Sequence, residues 1–106
     1  MPTFKGLLNN GRLTGDGFIA EKFDGIASLE LKKINGKPSS VKVISSAEKS
    51  DMRVSVQYVM NGAEHRTESF PAGNCVFDLS GFEDGYYHII ATAKNAENVS
   101  LRYELN

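Results

Sequence analysis

The sequence has no tryptophan and a single cysteine, Cys75. A lone thiol excludes an intramolecular disulfide, so the chain is not a disulfide-stapled scaffold, and no bridge reports its redox compartment. His65 and His88 are the only histidines, and neither is spaced with another imidazole or thiol as a zinc site requires. The missing indole removes the side chain with the largest stacking face, which weighs against a carbohydrate-binding reading. No apolar run approaches the roughly 18 residues of a membrane span. The first ten residues also lack the basic start and apolar middle of a secretory signal. As it stands the chain is expected in the cytoplasm, or outside the cell if a signal segment ahead of Met1 was removed.

An excess of charge of one sign is also lacking. Twelve basic and 13 acidic side chains give a formal net charge of −1 and are spread along the chain. Nucleic acid needs Lys and Arg concentrated on one face, so it is not an expected partner. What is present is ordinary for a globular domain: 106 residues, 41% of them hydrophobic and 24% charged. That length holds one core and leaves no room for a second.

From Met1 to Gly17 the glycines 6, 11, 15 and 17 stand among Asn9, Asn10 and Asp16. This is turn chemistry, and residues 1–17 read as an irregular arm ahead of a single domain over 18–106. The span Phe18 to Leu31 holds two strand candidates separated by Asp24-Gly25; in the second, Ala27, Leu29 and Leu31 share a face. Asn35-Gly36-Lys37-Pro38 breaks the pattern, and Val41 and Val43 begin another strand. Asn61-Gly62 is the clearest local signal, because a type I′ turn needs positive φ at both central residues and this dipeptide supplies it. A two-residue hairpin there pairs Tyr58 with His65 and Gln57 with Arg66, and the returning strand, polar on both faces, reads as an exposed edge. Tyr87, Ile89, Ala91 and Ala93 alternate on one face. Val99, Leu101, Tyr103 and Leu105 do the same after Lys94 to Asn98, which reads as a hairpin loop.

No window carries an uninterrupted 3.6 period, so little helix is expected. Seven to nine short strands with turns between them predict an all-β antiparallel sandwich of jelly-roll or Greek-key type. Its core is expected to contain Leu29, Leu31, Val41, Val43, Val54, Val56, Phe77, Tyr87, Ile89, Leu101 and Tyr103.

The run Phe77-Asp78-Leu79-Ser80, then Asp84-Gly85-Tyr86-Tyr87-His88-Ile89, then Asn95 with Val99-Ser100-Leu101-Arg102-Tyr103-Glu104 resembles the closing hairpin of small β-sandwich modules found in bacterial secreted proteins and lipoproteins. Phe23-Asp24-Gly25-Ile26 before Leu29 and Leu31 is similar to the opening strand of the same modules. The resemblance covers about residues 23–106. It implies the fold and an extracellular setting, and it brings no catalytic residue with it. A lipid-attachment cysteine near the N-terminus is missing, which departs from the lipoprotein form.

No catalytic constellation is read from the residues. Cys75 needs a histidine base within hydrogen-bond reach to act as a nucleophile, and no spacing supplies one. Asp16, Glu21 and Asp24, and again Glu83 and Asp84, match no calcium loop; acids beside glycine in turns are expected to bond the local backbone. Gly11 to Gly17 lacks the lysine and hydroxyl residue of a phosphate cradle. No metal and no cofactor are expected. Adjacent Tyr86 and Tyr87 must point to opposite faces of their strand, so one of them leaves the core. Tyr86, His88, Tyr58 and His65 are the candidate binding residues. The reading is a non-enzymatic binding or structural module at a bacterial cell surface or outside the cell, with a protein or a glycan as partner. The alternative is a small intracellular protein that modulates or inhibits a partner protein by direct contact.

Overall fold

A computed structural model describes residues 3–9, 12–14 and 16–106, with side chains over 16–59 and 61–106. Strands hold 76% of the described residues, and none of these residues is helical. With no helix there, none of the described residues forms a helix long and apolar enough to cross a membrane. Nine strands run in chain order: β1 (Thr3–Asn9), β2 (Arg12–Thr14), β3 (Gly17–Lys33), β4 (Ser40–Glu48), β5 (Met52–Met60), β6 (Ala63–Arg66), β7 (Phe70–Pro71), β8 (Asn74–Asp78) and β9 (Gly85–Leu105). The all-β expectation therefore holds. All nine strands join in one hydrogen-bonded sheet, which curls into an open half-barrel.

Two long strands explain that shape. β3 and β9 pair antiparallel from Gly17 opposite Arg102 to Lys33 opposite Gly85. On its other edge β9 serves two partners in turn: β5 along residues 87–93 and β4 along residues 97–105. β8 adds to β4, while β6 and β7 add to β5, so two arms share β9 as a spine. The hairpin expected over 87–105 does not form, because Lys94 to Asn98 continues the strand. Asn95 and Asn98 take the left-handed conformation (φ 55° and 49°) inside β9 and bend it without reversing it. Lys94 and Asn95 together face Asp24, an extra residue that makes a bulge. Asp24-Gly25 likewise bends one strand where two were expected. Between the pairs Ala20/Val99 and Phe23/Ala96, all four buried, both strands exchange their inward parity. The same two strands thereby line the core at both ends of the curl.

The segment expected to be an irregular arm contains β1 and β2, which pair with residues 22–28 and 17–19 of β3. Glycine and asparagine are poor strand formers in isolation, but a long partner edge supplies the ladder that propensity does not. Gly17 has a further constraint. A Cβ there would stand 1.8 Å from the carbonyl oxygen of Leu101, so only glycine lets the turn from β2 to β3 lie against β9.

The core runs through both arms: Phe18 and Phe23 meet edge to face at 5.5 Å, and Leu29, Val41, Val43, Val54, Val56 and Ile89 are closed to solvent. Each such aliphatic side chain contributes about 1.5–3 kcal/mol by leaving water. Leu31, Phe77, Tyr87 and Leu101 are buried as expected, while Tyr103 is half-buried against the cluster. Phe70 of β7 and Phe77 of β8 touch edge to face at 5.6 Å, joining the arms. Among the described residues, Lys33 is the one buried charged side chain. Its ammonium donates to the carbonyl of Leu79 and, at 2.7 Å, to that of Phe82. These bonds offset the desolvation of the charge and hold the turn that precedes β9.

Asn35-Gly36 is a second tight hairpin tip, with φ of 54° and 78° and reciprocal backbone bonds between Ile34 and Lys37 of 2.8 and 3.0 Å. Asp84 accepts the N–H groups of Asn35 and Gly36 at 2.8 and 3.0 Å. Asp24 likewise accepts a backbone N–H from far along the chain, that of Asn95 at 3.2 Å.

Candidate functional site

The Asn61-Gly62 tip forms as its chemistry requires, with φ of 54° and 75°. Its register places Tyr58 opposite His65 and Gln57 opposite Arg66. Across β9, Gln57 faces His88 and Tyr58 faces Tyr87; across β3, His88 faces Glu30 and Tyr86 faces Lys32. Period-two alternation then sorts these side chains between the faces of the sheet. Tyr87 goes to the core, and Tyr86 stands on the outer face with 56% of its surface exposed.

The four candidate residues divide between the two faces. Tyr86 and His88 share the outer face. Tyr58 and His65 lie on the inner side, stacked at 5.5 Å between centroids, and Tyr58 continues into Phe82 at 4.6 Å and Tyr87 at 5.9 Å. That aromatic column caps the end of the core. Phe82 belongs to the turn that Lys33 holds, and the Tyr87 hydroxyl donates to the carbonyl of Glu83 in the same turn. Burial raises the pKa of the Tyr87 phenol, and the nearby charges of Glu83 and Asp84 add to the rise.

On the outer face a polar row crosses four strands. His88 Nε2 lies 3.4 Å from Glu30 Oε2, Arg66 donates to Gln57 Oε1 at 3.1 Å, and the Gln57 amide donates to Glu64. Beside the row, the Lys32 ammonium nitrogen sits 5.2 Å from the centre of the Tyr86 ring. On the β5 side of Tyr86 a shallow cleft of about 350 Å³ is lined by Gln57, Tyr58, Val59, Glu64, Gly85 and His88 together with Tyr86 itself. Val59 is 66% exposed at its edge. An aromatic ring and an isopropyl group left in water, flanked by an amide, an imidazole and a carboxylate, make a surface suited to contact and poor in reactive groups.

Glu30, Lys32, Gln57, Val59 and Glu64 were outside the expected set. The hairpin register already places Gln57 and Glu64 near each other, but joining them to Tyr86 needs the pairing of β5 with β9 across 30 residues of chain, which no local pattern encodes.

Cys75 lies on β8 and is half-buried. Burial raises its thiol pKa, which lowers the thiolate fraction that a nucleophile needs. Among the described residues no three His, Cys, Asp or Glu side chains converge as a metal site. No protein-family model, curated protein or solved structure matches the chain.

Proposed function

We propose that the chain is a non-enzymatic binding module that contacts a partner protein through the outer face of β3, β9, β5 and β6. The single observation carrying this reading is Tyr86, exposed over a cleft on a sheet face whose opposite side supplies the core. A core strand has no packing use for a large ring in water, and aromatic residues are enriched where partner proteins dock. The two histidines lie on opposite faces of the sheet, and Cys75 sits on β8, which among the described residues pairs with β4 alone; this favours contact over chemistry. The resemblance of residues 23–106 to β-sandwich modules of bacterial secreted proteins extends the reading to a sandwich-like role, in which the two arms over the common core act as the two sheets, and to a setting outside the cell. Absence of nuclear Overhauser contacts between Phe70 and Phe77, the pair that joins the arms, would remove the sandwich part.

The test of the binding reading is the double variant Tyr86→Ala/His88→Ala. It is expected to melt with the wild type and to lose a protein, identified by mass spectrometry, that the wild type retains from an extract of the source cells. An unfolded variant, or one that retains the same protein, contradicts the reading.

A further inference from the structure

Resting on that binding reading, we propose that the cleft beside Tyr86 receives a basic side chain, arginine or lysine, of the partner protein. The charge of the cleft points this way. Among its lining residues Glu64 is the one carboxylate, and none is lysine or arginine. The Glu64 carboxylate accepts from the Gln57 amide, and a carboxylate has lone pairs for further donors. Arg66 of β6 is bonded to Gln57 Oε1 and does not line the cleft; it lines the neighbouring depression together with Gln57, Glu64 and His65. A cation entering the cleft therefore meets a carboxylate, whereas an anion meets one with no cation lining the cleft.

Tyr86 supplies the second half of the recognition. Its ring already holds a cation, the Lys32 ammonium, which reaches it from β3, while the cleft opens on the β5 side of the same residue. The negative potential of an aromatic face attracts a guanidinium or an ammonium within about 6 Å. Val59, 66% exposed, gives the aliphatic stem of such a side chain an apolar wall. His88 Nε2 is turned toward Glu30, 3.4 Å away. A carboxylate, an aromatic face and an apolar wall around about 350 Å³ are what a long cationic side chain requires.

The test is an amide NMR titration of the full chain with blocked Gly-Arg-Gly and Gly-Lys-Gly peptides, with blocked Gly-Gln-Gly and maltohexaose in parallel. The basic peptides are expected to shift the amides of Val59, Glu64, Tyr86 and His88. Glu64→Gln is expected to weaken that binding about tenfold, the worth of one charge-assisted hydrogen bond, while leaving the spectrum folded. Tyr86→Leu is expected to weaken it as well. An equal response to the glutamine peptide, or no shift at these amides, overturns the proposal. Maltohexaose binding at the cleft also overturns it but leaves the binding face in place. If the Tyr86→Ala/His88→Ala variant keeps the partner as well, the binding reading falls with it.

Discussion

The ammonium nitrogen of Lys32 lies 5.2 Å from the centre of the Tyr86 ring, so two side chains from neighbouring strands meet in water and not in the core. An exposed pair of this kind is worth about 0.5–1 kcal/mol. Lys32→Ala and Tyr86→Ala should each cost less than about 1 kcal/mol in urea unfolding, with a coupling energy in the double variant of the same order. A loss of several kcal/mol at Tyr86 would show that the ring is packed, and would remove the candidate site.

Gly17 and Gly81 make a matched comparison. A Cβ at Gly17 meets the Leu101 carbonyl oxygen at 1.8 Å, whereas at Gly81 it meets nothing within 4 Å. Gly17→Ala forces backbone apart and should cost about 1–3 kcal/mol or more. Gly81→Ala should fall within about 0.5 kcal/mol of the wild type. Equal effects in thermal melts would contradict the close approach of the β2–β3 turn to β9.

Ile89 and Ile26 test which face of the sheet is the core. Ile89 is fully buried on β9, and Ile26 is 42% exposed on β3. Ile89→Ala should cost about 2–5 kcal/mol, and Ile26→Ala well under half of that. The reverse order in denaturant unfolding would mean that the inner and outer faces are exchanged.

Tyr87 gives a pH dependence with a defined sign. Its phenol pKa is raised above the ordinary 10.0, first by burial and then by Glu83 and Asp84. The folded state thus holds the proton more tightly than the unfolded chain does. The stability linked to it is complete below pH 10.0 and is lost as pH rises above that value. Tyr87→Phe removes the hydrogen bond to the Glu83 carbonyl and should cost about 1 kcal/mol at neutral pH. Above pH 10.0 the gap between wild type and variant should narrow. A gap that stays constant in unfolding experiments up to pH 11 would contradict this.

Local chemistry made part of this fold legible. Asn61-Gly62 specifies its turn type, and the turn sets the register of Tyr58 with His65. The alternation around Ile89 identifies a buried face, and the adjacency of Tyr86 and Tyr87 forces one ring outward. The length of β3 and β9 was not legible. Asp24-Gly25 and Asn95 to Asn98 carry the residues that reverse a chain, and the same left-handed conformations also bend a strand that continues. Which outcome occurs depends on whether the facing strand bends at the same place, as Phe23 and Gly25 do opposite Ala96 and Ala93. Nothing local marks Lys33 as a buried charge, and only the fold brings the Leu79 and Phe82 carbonyls to it. The cleft depends on the same long-range pairing, which is why Tyr86 and His88 could be singled out from sequence but Glu64 and Val59 could not.

The central claim is that the face bearing Tyr86 and His88 is where a partner docks. Hydroxyl-radical footprinting of the chain, alone and with the partner it retains from extract, tests this most directly, because exposed tyrosine, histidine and phenylalanine side chains all report by oxidation. The account predicts that Tyr86 and His88 become protected while Phe70, exposed on β7 and paired with the inward-facing Val54, reacts as before. Undiminished oxidation of Tyr86 and His88, with protection appearing at Phe70, would contradict it.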